Sequence, residues 1–295
     1  MFSHFFGSYL VSKNKITPEQ FQIIKEAEKT ARVKLGLIAV SEKLLTEKQA
    51  EEINRAQASM DKRFGDIAIE KGYLTDSQLK DLLGLQGNSY MVFTQTVVDH
   101  NILTLAEVEA LLEEYQADFH FTEYDIEALK SGDIDQIAPL FINTGKPVYD
   151  GLCSLAVRNI IRFIAPKLSL LPIHQETSYS FKHLAIQKLT GDHDIFSAFA
   201  DNDNSLLTIA SAYAKEDFAD VDEDAFDSVC EFINCINGLF ASASSHKGID
   251  IDMLPPSFSE EASISAEKPF YVLPIQIEDA HIDYILSVDN QPDIK

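Results

Sequence analysis

Tryptophan is absent from this sequence, and cysteine is nearly so, with Cys153, Cys230 and Cys235 the only three in 295 residues. An odd count without a CxxC pair argues against a disulfide-stapled scaffold and a cysteine-built zinc site. Cys230 and Cys235 are five positions apart, which on a helix turns them about 140° away from each other. They read as small core residues of a protein in a reducing cytoplasm. Long apolar runs are missing too, since none reaches the ~18 residues that a membrane-spanning helix needs. The opening MFSHFFGSYLVSKNK lacks a basic lead, a long apolar stretch and an A-x-A site, so it is expected not to be a signal peptide.

Positive charge is scarce as well. The chain carries 24 Lys and Arg against 47 Asp and Glu, a net charge of −23. The deficit is uneven: residues 1–120 hold 13 against 18, a net of −5, and the remainder holds 11 against 29, a net of −18. So acidic a second half disfavours sequence-independent binding to nucleic acid or an anionic membrane, and suits a basic surface on a protein partner. What is present is apolar material for real cores, 45% of the residues, in a length that suggests two domains. No segment reads as long low-complexity disorder.

The first third repeats itself. FGSYLVSKNKITPEQ, LGLIAVSEKLLTEKQ, FGDIAIEKGYLTDSQ and FTQTVVDHNILTLAE begin at Phe6, Leu35, Phe64 and Phe93, a period of 29 residues. Thr17, Thr46, Thr75 and Thr104 form one column, followed three residues later by Gln20, Gln49, Gln78 and Glu107. That spacing predicts a capping box in every copy. Three residues before each Thr stand Asn14, Lys43, Gly72 and Asn101, three of which tolerate a left-handed backbone. Each unit is therefore expected to be a short helix, a tight turn and a capped longer helix.

The third copy carries Arg63, Phe64, Gly65, Ile69, Gly72 and Gln86 in a spacing that resembles the MshEN-type domain of secretion and pilus ATPases. Tandem copies of that motif can bind cyclic di-GMP. The second copy matches with Lys34, Leu35, Gly36, Val40 and Gln57, but Lys43 replaces the turn glycine. The first copy departs at Phe5 and Glu28, and the fourth at Val92, Thr94 and Tyr115. The resemblance implies a nucleotide site in copies two and three, built from Lys34, Leu35, Gly36, Gln57, Arg63, Phe64, Gly65, Gly72 and Gln86. Guanidinium and backbone N–H groups would hold phosphates there while apolar side chains pack on guanine. The alternative is a helical docking platform that keeps the fold without the nucleotide.

Residues 119–144 break the rhythm and are expected to connect the helical domain, 1–118, to a second domain, 145–295. EYDIEALKSGD reads as a short helix, and the cluster from Asn143 to Pro147 as a turn. Beyond it the pattern is mixed. YDGLCSLAVRNIIRFIA, NSLLTIASAYA and DEDAFDSVCEFINCINGLFASASSHKG are expected helices. KLSLLPIH, FKHLAIQKLTG, DIFSAFADN, IDIDML, YVLPIQIE and HIDYILSVD are expected strands, with a hairpin at EDAH. The whole chain is expected to be α+β, with an all-α first domain and an antiparallel sheet bearing long helices on one face.

Within the longest helix, Asp227, Glu231, Asn234 and Gly238 fall on one stripe, opposite Val229, Phe232, Ile233 and Ile236. The stripe is either an ordinary solvated face or a polar site on a well-packed rod. Asp227-x3-Glu231-x2-Asn234, with Pro256 after 21 further residues, resembles the signature of the CheC/CheX/FliY family of chemotaxis phosphatases. The order of elements matches over roughly 145–290. The resemblance implies hydrolysis of the aspartyl phosphate of a CheY-like response regulator. Asn234 would hold the attacking water and Glu231 would engage the regulator's lysine. Asp227 would sit at the rim, Gly238 would leave room for approach, and Pro256 would shape the neighbouring loop. The regulator would supply the phosphoaspartate and Mg2+, so no cofactor or metal of the chain's own is expected. The first helix of this domain carries Ser154, Arg158 and Ile161 at the matching positions. One site per chain is therefore implied, in a CheX-like arrangement whose members pair as homodimers. The rival reading is a cytoplasmic adaptor that binds a regulator or cyclic di-GMP without hydrolysis.

Overall fold

The computed structural model describes residues 1–57, 60 and 62–295. The chain divides into two compact units, 1–133 and 134–295. Helix α9 (Glu123–Ser131), in the segment expected to connect the domains, belongs to the first unit, and α10 (Ile134–Ile142) to the second.

The first unit begins with four helix pairs: α1 (Phe2–Ser12) and α2 (Pro18–Ala27), α3 (Leu35–Ser41) and α4 (Glu47–Gln57), α5 (Phe64–Glu70) and α6 (Asp76–Gly84), and α7 (Ser89–Asp99) and α8 (Leu105–Phe119). Thr17, Thr75 and Thr104 close reciprocal capping boxes with Gln20, Gln78 and Glu107. Thr46 and Gln49 exchange the same two bonds, at 2.8 and 3.3 Å. The turn residues Asn14, Lys43, Gly72 and Asn101 all have φ between 53° and 70°. Lys43 thus accepts the left-handed conformation that glycine takes in the next copy. The glycine column has a packing role. A Cβ on Gly7 or Gly65 would sit 2.3 or 2.6 Å from Phe21 or Leu79, and one on Gly36 would come within 3.1 Å of Phe64. In the fourth copy Thr94 occupies this column, fully buried.

The second unit continues with α11 (Pro147–Phe163), β1 (Ser169–Leu170), β2 (His174–Gly191), β3 (Ile195–Asp201), α12 (Leu206–Ala214), α13 (Glu223–Ser245), β4 (Ile251–Met253), β5 (Ser257–Ile277), β6 (Ala280–Val288) and β7 (Asp293–Ile294). Every strand pairing is antiparallel. Three strand expectations need correction. KLSLLPIH contributes the two residues of β1 and, in His174, the first of β2; QETSYS, which suggested no strand, carries β2 on to Phe181; and SFSEEASISAEKPF, which suggested none either, is the first two thirds of β5. That stretch pairs with β2 from Ser257 opposite Ile186 to Ser265 opposite Ser178, then resumes beyond a bulge at Phe270.

This pairing changes the architecture from an open sheet. Strands β2, β3, β6 and β5 close on one another, because β5 joins β6 on one side and β2 on the other. Right-handed twist carried through strands of 18 and 21 residues brings the two edges together. Leu184 and Ile186, Phe196, Ala198 and Ala200, Ile285, and Ile264, Phe270 and Val272 form one core from all four strands. Helices α11, α12 and α13 pack against the other face. With cores on both sides, all seven residues of β3 are buried, as the unbroken IFSAFAD composition permits.

Candidate functional site

The site is built on α13. Asp222 caps it by accepting from Ala225 N–H at 3.0 Å, and Glu223 and Asp224 complement the dipole of the first turn. Its apolar side is anchored by Val229, Phe232, Ile233 and Ile236, each with no exposed surface. The Phe232 ring packs 5.7 Å from Phe199 of β3 and 5.2 Å from Tyr213 of α12. On the opposite side Asp227, Glu231 and Asn234 are exposed, and Gly238 is half-buried. A carboxylate and a carboxamide one turn apart therefore project from a helix whose other face is fixed.

The surroundings differ in character from the stripe. Met253, Leu254 and Phe258 are between 39% and 44% exposed, an apolar shelf supplied by β4 and the segment that follows, while Leu239 of α13, 44% exposed, lies on the other flank of the helix. A Cβ on Gly238 would be 3.6 Å from the Met253 methyl, so the shelf touches the stripe there. Phe258 stacks at 4.5 Å on Phe226 of α13. Pro256 is half-buried in the connection between β4 and β5. Cys230 is buried beneath the stripe, and burial pushes its thiol up to about 11, so it stays neutral. Among the described residues no group of three or more His, Cys, Asp or Glu is placed to hold a metal ion. In α11, Arg158 is exposed and pairs with Asp135 at 3.3 Å, while Ile161 is half-buried. That helix presents no carboxylate and amide pair.

A polar contact beneath Asn234 is not suggested by the motif. Gln187 of β2, 1% exposed, donates from Nε2 to Asn234 Oδ1 at 2.7 Å and to the Leu254 carbonyl at 2.9 Å. Its Oε1 accepts from Asn237 Nδ2 at 2.9 Å. The signal in the sequence was slight: Gln187 shares its strand face with Ala185 and Leu189, and a polar residue on a buried face needs partners.

The candidate nucleotide residues of the first unit are only partly gathered. A cavity of about 840 Å3 is lined by Lys34, Leu35, Gly36, Gln57, Phe64 and Gln86. Arg63 is exposed at the N-cap of α5 and does not line it; Gly65 packs on Leu79, and Gly72 makes its turn with open space around it. The fourth copy supplies much of the remaining wall, including Gln95, Asp99 and Glu107, although its motif columns match poorly. Among the described residues Lys34 is the lining cation, against Glu47, Glu51, Asp99 and Glu107, and its Nζ already pairs with Asp99 at 2.8 Å.

Residues 183–277 match a family model described as chemotaxis phosphatase CheX. No curated protein matches the chain. Among solved structures, the chemotaxis protein CheX of Desulfovibrio desulfuricans is similar over 48% of this chain and 99% of its own, at 15% identity and a TM-score of 0.43. The CheX of Vibrio vulnificus is similar over the same shares at 12% identity and 0.42. The CheX–CheY–BeF3–Mg2+ complex of Borrelia burgdorferi is similar over 46% and 94%, at 18% identity and 0.39. No helix among the described residues is long and apolar enough to cross a membrane. The segment 183–277, which holds Gln187, Glu231, Asn234 and Pro256, is thus CheX-like in sequence.

Proposed function

We propose that the C-terminal unit hydrolyses the aspartyl phosphate of a CheY-like response regulator, with Asn234 and Glu231 as the inserted pair. The observation that carries this reading is their joint exposure on a helix anchored by Phe232 and Ile233. Phosphoryl transfer asks chiefly for positioning and charge neutralisation, so an amide that fixes a water in line is sufficient chemistry. The carboxylate of Glu231, three residues away, meets the regulator's lysine and sets the approach. The regulator brings the phosphoaspartate and its Mg2+. The apolar shelf of Met253, Leu254 and Phe258 gives the visiting domain dry surface beside the polar pair.

The test is single-turnover loss of acyl phosphate from CheY-type receiver domains charged with a small-molecule phosphodonor. Acceleration by the parent chain, absent with Asn234→Ala, is the expected result. No acceleration by the parent chain across a panel of receivers would leave an adaptor.

The first unit is assigned a docking or regulatory role. Cyclic di-GMP is favoured there by the six motif residues around one cavity and opposed by its four lining carboxylates against one paired lysine. A dianion pays to enter such surroundings. Calorimetric titration with cyclic di-GMP is expected to be flat; binding that weakens in Lys34→Ala would carry the nucleotide reading instead.

A further inference from the structure

The orientation of the Asn234 amide is settled by a chain of contacts that begins at a backbone atom. Leu254 offers Gln187 a carbonyl oxygen, which can only accept, so the Gln187 atom 2.9 Å away is its amide nitrogen. That nitrogen also lies 2.7 Å from Asn234, whose facing atom must therefore be Oδ1. The other branch of the Gln187 amide is Oε1, and Asn237 meets it with Nδ2. Turning any one of the three side-chain amides over would set oxygen against oxygen or hydrogen against hydrogen. With Oδ1 held by a buried partner, the branch that Asn234 leaves for an incoming group is Nδ2.

The same amide holds the proline loop. Leu254 donates its N–H to Lys188 O at 3.0 Å and gives its carbonyl to Gln187, immediately before Pro255 and Pro256. Asn234 and the loop are thus referred to one point on β2. Gln187 and Asn237 are 1% and 0% exposed, and Asn237 Oδ1 is buried with no hydrogen-bond partner among the described residues. An apolar side chain of the same shape would avoid that cost. What Asn237 provides in exchange is the donor that fixes Gln187.

We propose that Gln187 is a positioning residue for the phosphatase reaction: it fixes Asn234 so that the Nδ2 hydrogens face the attacking water, and it sets the Pro255–Pro256 loop against them. One Nδ2 hydrogen is donated to a lone pair of the water, which leaves the second lone pair directed at phosphorus. This rests on the phosphatase reading above, but the clamp itself has a readout that needs no partner.

Two measurements on the full chain separate the two ideas. In the first, the Asn234 side-chain NH2 signal is assigned by its disappearance in Asn234→Ala, and its 15N order parameter is compared between the parent and Gln187→Leu. The signal is expected to be rigid in the parent and to fall below about 0.6 in the variant. In the second, acyl-phosphate loss from the charged receivers is followed as a function of chain concentration. Gln187→Leu is expected to keep the half-saturating concentration and lose about tenfold to a hundredfold in maximal rate. Gln187→Glu is expected to be slow at neutral pH, where its carboxylate faces two other acceptors, and to recover as pH falls. Burial raises that carboxyl's pKa, and the protonated form regains a donor; the parent has no such recovery. If Gln187→Leu fails to fold, Asn237→Leu, which leaves Gln187 in place without its donor, should show the same change of mobility and rate in smaller measure. A folded Gln187→Leu with the parent's maximal rate overturns the proposal. If the parent accelerates no receiver, the phosphatase reading falls, and an Asn234 amide equally rigid in parent and variant overturns the clamp as well.

Discussion

Asn234→Asp is expected to leave the second unit folded and to remove about 10²- to 10³-fold of the acceleration of acyl-phosphate loss, the scale set by removing one donor aimed at a developing charge. The substitution changes one atom on each chain. Gln187 Nε2 donates to a carboxylate oxygen as readily as to the amide oxygen it now meets at 2.7 Å, so the buried contact survives. The change falls on the branch turned to the substrate, where an N–H donor becomes a second carboxylate oxygen. It can no longer donate to the water, and it repels the phosphoryl group. The new charge also stands three residues from Glu231, a like-charge pair that costs the helix only a few tenths of a kcal/mol. Circular dichroism and thermal melting should match the parent while single-turnover rates collapse. A variant that hydrolyses as fast as the parent would remove Asn234 from the chemistry.

Phe232→Ala should instead act on stability, by about 3–5 kcal/mol in the second unit. The side chain has no exposed surface, and its ring lies between Phe199 and Tyr213, joining α13 to β3 and α12. Truncation removes the transfer free energy of the ring, leaves a cavity in a layer fixed by strands on one side, and gives up two aromatic contacts. The chain has no tryptophan, so urea unfolding is best followed by circular dichroism. Units that unfold separately give separate transitions. The one belonging to the second unit should move to lower urea, while the first unit's stays in place. A shift worth less than about 1 kcal/mol would mean that the helix is not anchored as described.

The helical unit was legible because its signals are local. A capping box and a left-handed turn residue each act within one helix pair, and a 29-residue period states them four times. Even Lys43, the exception in the turn column, adopts φ 57° under the same constraint as its glycine counterpart. The strand from Ser257 was hidden because its Ser and Glu residues and Pro269 read as loop, while its reason for being extended lies on β2, some 80 residues earlier. The stripe on α13 followed from helical spacing alone. Gln187 could not, since its partners come from α13 and the residue after β4, and only the fold brings them to it. The nucleotide columns are gathered only in part, for a similar reason. They marked residues by likeness between copies, whereas the cavity wall also draws on a fourth copy that departs from the pattern.

Closure of the four strands also leaves the outer half of β2 with a single neighbour, since residues 174–182 pair with β5 alone. The rims at β1, β4 and β7 are two, three and two residues long. The β2 rim is the one long enough to template edge-to-edge growth, the usual route from a β protein to fibrils, and Glu176 and Lys182 are the charged side chains that blunt such an edge. Self-association of this unit through a shared ladder would have to use that rim.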